Sequence, residues 1–374
     1  MGDSFSLSPA NWPQVPRKTI VFDCLRQQRS GQPCSRYEAV TRTENRAFQI
    51  SKATEMPSAT IIVCTRDRAD DLDVTCRSLL ELSANNPQVD ILVIDNGSSD
   101  RTPDLLTHLS AASSERLRWI VEPRSGLSMA RNAGIAASRG ESLIFIDDDA
   151  LPSGGWLEAL LSSLDEPSVW AAGGPVEPSI SSDIPDWFSA RFLPYLSAWD
   201  RGPEAVSSVY NEYPRGTNMA FKKHVFTELG SFLSQLGRRG GSLRSCEETE
   251  MFLRVERAGY EIRYEPAARV VHKVEVERLS RPWMKRRFSA QGLSEAILEW
   301  RHGGFEALKI GVGRGLSAVR QFGSFSDSTS RLLKSCQASA LRGYLAGCIY
   351  APLSIPRMRI SHAGQPLAPW LPPH

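Results

Sequence analysis

Three consecutive carboxylates, Asp147, Asp148 and Asp149, follow an apolar run of the chain at 142–146. Neighbouring negative charges repel one another unless a cation compensates them. Carboxylate oxygens on a short turn are the hard ligands that suit Mg²⁺ or Mn²⁺. The triplet therefore indicates a divalent metal site, and the alternative is a solvated acidic turn without a chemical role.

A second group of carboxylates, Glu247, Glu248 and Glu250, opens a predicted helix that runs to Ala258 and follows a Gly/Arg-rich stretch at 237–244. Acidic residues in a first helical turn are ordinary partners of the helix dipole. Downstream of an acidic metal site, however, such a cluster could also supply a general base. His272 ends a predicted strand at 268–271 and could reach the same cation, although the alternative is a purely structural histidine.

Other polar residues follow the apolar runs that come earlier in the chain, at 65–68 and 95–98. In an open parallel sheet, ligands bind beyond the carboxyl ends of the strands, so these residues should converge on the acidic triplet. The segment 123–134 predicts a helix with Ser125 as its cap and Arg131 in its second turn. Its positive end would favour an anion, and the alternative is a capped surface helix with an exposed arginine.

These residues need a scaffold, and the chain from Ala59 onward predicts one. Short β-branched runs without polar alternation suggest strands covered on both faces, and amphipathic stretches lie between them. The pattern predicts an α/β fold with a parallel sheet built from βαβ units. The predicted strands are 60–64, 90–94, 117–121 and 142–146, and the predicted helices are 69–83, 102–111 and 126–138.

The remaining chain is less regular. Residues 174–215 contain six prolines and seven aromatic residues, which predicts a functional loop. Its aromatic side chains either form part of the wall of a substrate-binding site or fill the core. Beyond Pro282 the pattern predicts helices at 283–300, 303–321 and 328–348. We therefore expect an extension at 1–56 that packs on the core and contains a short strand at 19–22, a catalytic domain at 57–277, and a helical region at 278–374.

Composition excludes several classes of protein. With 374 residues, 41% hydrophobic and 23% charged, the chain is neither disordered nor a disulfide scaffold, and its seven cysteines form no C-x-x-C pair. Residues 278–374 hold 14 Lys and Arg against 4 Asp and Glu. This basic region predicts contact with a membrane surface or a helical cap over the site. We expect a cytoplasmic protein, peripheral at the inner face of the membrane, with no nucleic-acid partner.

Taken in order, the motifs resemble those of family 2 glycosyltransferases, which have the GT-A fold. Any one match is weak, but several in the right order are specific. The matching segments are 60–68, 92–100, Gly126 with 130–134, 145–149 with Pro152, 216–220 and Glu247–Glu248. Two positions depart from the family pattern: Arg66 stands where many members have an aromatic residue, and Glu248 replaces the commoner aspartate.

The resemblance implies a Rossmann-like, mostly parallel sheet flanked by helices, followed by a helical C-terminal region. It implies inverting transfer of a sugar from a nucleoside-diphosphate sugar to a hydroxyl, in glycan, glycolipid or cell-envelope polysaccharide synthesis, with Mn²⁺ or Mg²⁺ as cofactor. The acceptor would be a carbohydrate, a lipid-linked compound or a small molecule. The implied residues are Asp149, Asp148 and His272 for the metal; Thr65, Arg66, Asp95, Arg131, Asp147 and Asp148 for the donor; Gly216, Thr217 and Asn218 for the acceptor side; and Glu248, or alternatively Glu247, as base.

Two other functions fit parts of the pattern. A nucleotidyltransferase also places carboxylates and Mg²⁺ at strand ends, but it would normally have a glycine-rich phosphate loop after the first strand, where this chain reads 64–68 without glycine. A dinucleotide-dependent dehydrogenase would also have a glycine-rich loop after its first strand. The glycines at 311–315 follow no strand, so this class is excluded as well. A catalytically silent binding protein that uses the basic region as an adaptor at a membrane surface remains an alternative.

Overall fold

The computed structural model of the protein describes residues 58–321 and 328–358. The predicted extension at 1–56 and its strand at 19–22 lie outside the described residues, and the domain boundary at 277 stays a prediction. Among the described residues, no helix combines the length and the apolar composition needed to cross a membrane.

The first half of the described chain is a four-stranded parallel unit in the order β3-β2-β1-β4, joined by helices. Its elements are β1 (Ala59–Thr65), α1 (Ala69–Leu82), β2 (Val89–Asp95), α2 (Thr102–Ala112), β3 (Leu117–Val121), α3 (Leu127–Ala137) and β4 (Ser142–Asp147). The four predicted strands and three predicted helices are confirmed. In the register of the sheet, Thr65 lies opposite Asp95 and Cys64 lies opposite Asp147, so the polar strand ends share one edge.

Apolar side chains cover both faces of this sheet, as the unbroken apolar runs predict. Alternate residues of β1 point to opposite sides: Ile61 packs with Leu72 of α1, and Ile62 packs with Ala130 of α3. All four are buried. Complete burial of one Leu or Ile side chain stabilises the fold by about 1.5–3 kcal/mol. The packed sheet therefore holds the strand ends that carry the polar residues in place.

The second half extends the sheet with a change of direction that the sequence did not indicate. Its elements are β5 (Ala150–Pro152), α4 (Trp156–Asp165), β6 (Val169–Gly173), β7 (Val176–Ile180), β8 (Val206–Ser207), β9 (Asn218–Lys222), α5 (His224–Leu229), α6 (Glu247–Arg257), β10 (Glu261–Tyr264) and β11 (Val270–Val274). In the described chain, the large sheet has the order β3-β2-β1-β4-β9-β6-β10-β8. β9 is antiparallel to both β4 and β6, and this pairing places Thr217 beside Asp147.

A small sheet with the order β5-β11-β7 lies next to the large one. The prediction that His272 ends a strand is wrong, because it occupies the middle of β11. β11 pairs antiparallel with β5, and His272 lies opposite Ala150. This register puts the histidine next to the acidic triplet, which ends one residue before β5 begins.

The segment 174–215 is partly structured, since it contains β7, β8 and a 3-10 helix at Ala190–Leu196. Trp199 is buried with its ring centroid 5.0 Å from that of Tyr264. Trp187 lies edge-on to Phe192, which in turn contacts Phe288 of the C-terminal region. These tryptophans therefore fit the interpretation that the aromatic side chains of this segment fill the core.

Two long helices form the C-terminal region, α7 (Arg281–Gln321) and α8 (Ser328–Ser354). α7 is interrupted at Gly304, whose φ of 64° and ψ of −148° are not helical, and this break coincides with the predicted gap between 300 and 303. Glycines bring the two helices close together: a methyl group at Gly292 would clash with the Ala340 carbonyl, and one at Gly311 with the Tyr344 hydroxyl. Of the glycines at 311–315, Gly311 and Gly315 therefore belong to helix packing, whereas Gly313 has no neighbour within 4 Å of an added methyl group.

Candidate active site

The three carboxylates of the acidic triplet point to different partners. Asp147 Oδ2 accepts a hydrogen bond from the Thr217 hydroxyl at 2.8 Å, and Asp148 Oδ2 accepts one from the Thr65 hydroxyl at 2.7 Å. Asp149 Oδ1 lies 3.2 Å from His272 Nε2. Three ligand atoms, one each from Asp147, Asp149 and His272, lie within 4.8 Å of one another. The structure thus brings Asp147 into the group of potential ligands, while Asp148, which we expected there, lies outside it.

Cations surround Asp149. Arg68 Nη2 lies 2.8 Å from Asp149 Oδ2, and Arg278 Nη2 lies 3.5 Å from the same oxygen. Burial alone would raise the pKa of Asp149, but His272, Arg68 and Arg278 hold it well below its usual range. In contrast, burial and the neighbouring charge of Asp149 raise the pKa of Asp148 to about 7. Asp149 therefore carries its negative charge among these cations.

The donor set fits a divalent ion. Asp147 and Asp149 supply hard carboxylate oxygens and His272 supplies an imidazole nitrogen, a combination that Mn²⁺ accepts. Asp149 is ionised, as a carboxylate that binds a metal ion must be. His272 Nδ1 is buried without a hydrogen-bond partner among the described residues. A divalent ion held here would add the positive charge that a leaving diphosphate requires.

The residues expected to hold the donor line up along the shared strand edge. Asp95 is buried, and its Oδ1 accepts a hydrogen bond of 2.8 Å from the Ser98 amide. Thr65 is buried against Asp148, whereas Arg66 is exposed and donates to the Ser125 hydroxyl at 3.0 Å. The two strand-end loops thus meet as the sequence predicts, and Arg66 is the exposed member of this group.

The helix after β3 begins differently from the prediction. Ser125 does not cap α3; the capping position is Gly126, whose φ of 138° is one that other residues rarely adopt. The Gly126 amide donates to Asn96 Oδ1 at 2.8 Å, and the Leu127 amide donates to the Arg238 carbonyl at 2.8 Å. These first amides are therefore bonded within the protein.

Arg131 is buried rather than exposed, and it links three elements. Its Nη1 lies 2.7 Å from Glu247 Oε1, and its Nη2 donates to the Gly216 carbonyl at 3.0 Å. Asp147 Oδ1 is 3.6 Å from the same guanidinium. Burial and the neighbouring charge of Glu248 raise the pKa of Glu247 to about 7, although Arg131 opposes this shift. Arg131 therefore joins the acidic triplet to the start of α6.

Helix α6 separates its three glutamates into three environments. Cys246, with a φ of 69°, turns the chain into the helix. Glu247 is paired with Arg131, whereas Glu248 lines a cavity of about 260 Å³ together with Asp147 and Thr217. Glu248 Oε2 has no hydrogen-bond partner among the described residues. Glu247 also lines this cavity and its Oε2 is likewise unbonded, but its Oε1 is held by Arg131, whereas the Glu248 carboxylate makes no ion pair among the described residues.

Glu250, the third glutamate, lies away from this cavity and is fully buried. Its carboxylate is 2.7 Å from Arg254 Nη2, 2.7 Å from Arg301 Nε and 3.2 Å from His302 Nε2. It ties α6 to α7 and has no contact with the acidic triplet among the described interactions. The cluster of three glutamates seen in the sequence is therefore not one functional unit.

The acceptor-side residues also divide. Gly216 and Thr217 line the cavity beside Glu248. Asn218 is completely buried and makes structural bonds: its Oδ1 accepts from Trp156 Nε1 at 2.9 Å, and its Nδ2 donates to the Ala268 carbonyl at 2.7 Å. The structure therefore brings two of the three to the cavity.

Sequence reasoning gave no role to several residues at the site. Arg68 and Arg278 contact Asp149, and the cavity beside Glu248 is also lined by Tyr195, Arg215, Arg238 and Arg287. Arg68 follows the first strand and Arg287 belongs to the basic region, so position and charge gave a weak signal for these two. A single arginine in an irregular segment, such as Arg215, gives none.

Comparisons with known proteins show which proteins this chain resembles. The chain matches the model of Glycosyl transferase family 2 over residues 60–228. It is 29% identical over 306 residues to the succinoglycan biosynthesis protein ExoM of Rhizobium meliloti, covering 79% of this chain and 95% of that protein. It is 27% identical over 244 residues to the glucosyl-dolichyl phosphate glucuronosyltransferase of Haloferax volcanii, covering 64% of this chain and 76% of that protein.

A solved structure has the same fold. The mannosyltransferase PcManGT from Pyrobaculum calidifontis, in complex with GDP-Man and Mn²⁺, aligns with a TM-score of 0.53 and 18% identity, over 79% of this chain and 88% of that one. Fold and site together define the protein as a glycosyltransferase of the GT-A type. Within that class, the family match and the relatives support a family 2 glycosyltransferase. The comparisons favour neither the nucleotidyltransferase nor the silent binding protein.

Proposed function

We propose that the protein transfers a sugar from a nucleoside-diphosphate sugar to an acceptor hydroxyl with inversion at the anomeric carbon, and that Glu248 is the general base. The observation behind this proposal is that the unpaired Glu248 carboxylate and the Asp147 carboxylate line one cavity. An in-line displacement needs a base on the acceptor side and positive charge near the departing diphosphate, and the cavity brings Glu248 into one space with Asp147, one of the three residues that would hold a divalent ion.

On the donor side, Thr65 and Asp95 would hold the ribose and base, and the exposed Arg66 would contact the nucleotide from the loop after β1. Asp147, Asp149 and His272 would hold the divalent ion. When bound, the ion supplies a Lewis acid that neutralises charge on the leaving diphosphate. Arg131 keeps Glu247 and Asp147 in place, so it acts as a positioning residue between the two halves of the site.

The reaction class can be tested with a panel of UDP-, GDP- and TDP-sugars and Mn²⁺, by measuring slow release of the nucleoside diphosphate in the absence of acceptor. We expect release from at least one donor, dependent on the metal. Asp149→Asn should weaken metal binding by at least about 10-fold, because even partners of a ligand have effects of that size. The measurement is release rate against Mn²⁺ concentration.

Asp104→Asn is the matched control, because Asp104 is an exposed carboxylate in the first turn of α2. It should leave the metal dependence unchanged. Thermal unfolding of both variants shows whether the fold is kept. Release that needs no metal, or that Asp149→Asn leaves unaltered, would contradict the assigned metal site.

We propose further that the acceptor is lipid-linked or part of a cell-envelope glycan, and that α8 contacts the membrane from the cytoplasmic side. Three exposed aliphatic residues, Leu345, Ile349 and Leu353, repeat every four positions along α8 and so share one face. Arg342 lies at the head of the same row and is exposed. α8 contains basic residues and no acidic ones, which suits an anionic lipid surface.

Membrane contact predicts that the full chain sediments with vesicles containing anionic lipid and less with neutral ones. Replacing Leu345, Ile349 and Leu353 together with Ser should lower binding to anionic vesicles by at least about 10-fold, given about 1.5–3 kcal/mol for complete burial of one such side chain. A control that replaces exposed Val74 and Ile184 with Ser should bind normally. Equal binding of the triple variant would refute the assigned contact face.

A further inference from the structure

Two arginines in the cavity beside Glu248 have no acidic partner. Arg215 and Arg287 both line this cavity. Among the described residues, neither has a carboxylate oxygen within the 4.0 Å of an ion pair. Arg215 Nε is buried and has no hydrogen-bond partner there. Arg287 donates to Gln291 Oε1 at 2.9 Å and lies over the ring of Tyr195, with its guanidinium carbon 5.9 Å from the ring centroid.

The arginines that are buried in the described chain are compensated, whereas Arg215 and Arg287 are half-buried. Arg131 pairs with Glu247, Arg254 with Glu250 and Arg278 with Asp149. A guanidinium stays charged, and shielding it from water without an anion costs free energy. Burial lowers the pKa of Arg215 and of Arg287, and for Arg287 the charge of Arg238 adds to this effect. Neither arginine therefore has a carboxylate in direct contact among the described residues, although Glu248 and Glu295 line the same cavity.

Of the proposed metal ligands Asp147, Asp149 and His272, only Asp147 lines the cavity that contains Arg215 and Arg287. The charges that act on Arg278 include Asp149, Arg68 and Asp147. Those that act on Arg215 and Arg287 instead include Glu248 and Tyr195. The two arginines are thus associated with the proposed base, on the side where the acceptor hydroxyl must lie.

We propose that the acceptor has a phosphate group close to its reacting hydroxyl, as a phosphodiester or diphosphate, and that Arg215 and Arg287 bind it. This inference rests on the proposed function, because it assigns the acceptor to the cavity of Glu248. A guanidinium forms two parallel hydrogen bonds to phosphate, and two of them can bind a doubly charged group. A neutral sugar would leave the guanidinium groups of Arg215 and Arg287 without an anion in direct contact.

The proposal is tested by calorimetric titration of the full chain, without donor or added divalent metal, against four probes: inorganic phosphate, pyrophosphate, octyl phosphate and octyl glucoside. We expect the three phosphates to bind and octyl glucoside to bind at least about 10-fold more weakly, since hydrogen bonds to charged groups contribute about 1.5–3 kcal/mol. Arg215→Gln and Arg287→Gln should each weaken phosphate binding by a similar factor. Tighter binding of octyl phosphate than of inorganic phosphate would identify a lipid phosphate as the source.

Controls separate this result from other causes. Arg77→Gln removes an exposed arginine of α1 and should leave phosphate binding unchanged, while Arg287→Lys keeps the charge and should restore part of it. Phosphate must also bind when UDP and Mn²⁺ are present at saturating concentration. If UDP displaces it, or if Arg278→Gln abolishes it while Arg215→Gln and Arg287→Gln do not, the anion occupies the donor site and the proposal is wrong. Donor hydrolysis tests the proposed function separately, because it needs neither arginine.

Discussion

Replacing Glu248 with Gln is expected to lower the rate of glycosyl transfer by about 10²–10⁴-fold, the usual contribution of a general base. Gln has the same shape but cannot accept the acceptor proton. Because Glu248 Oε2 has no hydrogen-bond partner among the described residues, the substitution breaks no bond of the fold at that oxygen. Donor affinity, measured by titration with the donor and Mn²⁺, should therefore stay nearly constant while transfer is lost.

Substitutions of Glu248 by Asp and of Glu247 by Gln serve as comparisons for Glu248→Gln. Glu248→Asp keeps a carboxylate on a shorter arm and should retain part of the activity. Glu247→Gln removes the buried partner of Arg131 and should lower the stability of the fold as well as the rate. If Glu248→Gln transferred sugar at the normal rate and Glu247→Gln lost transfer without loss of stability, Glu247 would be the base. A large loss of donor affinity in Glu248→Gln would also contradict the role proposed here.

A second large effect is expected on stability. Glu250→Gln should lower the free energy of unfolding by about 3–5 kcal/mol, because it removes the one carboxylate that pairs with both Arg254 and Arg301. Arg254 is 2% exposed and would be left as a buried charge without its partner. Urea unfolding at neutral pH measures the loss. Asp73→Asn, which breaks the exposed pair with Arg77, is the control and should change stability by less than about 1 kcal/mol.

The effect of Glu250 should depend on pH in a defined direction. Burial alone would raise its pKa, but Arg254, His302 and Arg301 lower it to about 2. Since the pKa in the folded state lies below the ordinary value of 4.5, the carboxylate stabilises the fold fully above that value, and the contribution is lost as pH falls towards 2. The difference between the natural protein and Glu250→Gln should shrink over this interval. A difference independent of pH would mean that shape, not charge, is what Glu250 contributes.

Much of the scaffold could be predicted because its causes are local. The runs at 60–64 and 142–146 are unbroken and apolar, so they form strands covered on both faces, and the break at Gly304 follows from a glycine inside a helical pattern. The capping residue of α3 could not be predicted in this way. Ser125 has the right chemistry for a cap, but its hydroxyl accepts from Arg66, a residue 59 positions away in the chain.

The alternation of strands and helices, the order of the family motifs and the place of acidic residues at strand ends follow from local sequence, because each depends on residues a few positions apart. Which carboxylates act together depends instead on long-range contacts. Arg131 and Glu247 are 116 residues apart in the chain, and Arg68 and Asp149 are 81 apart. The contact of Arg68 with Asp149 depends on the parallel pairing of β1 with β4, which these residues follow, and the contact of Asp149 with His272 depends on the register of β11 on β5. These pairings come from packing of the whole chain, and neighbouring residues in the sequence do not specify them.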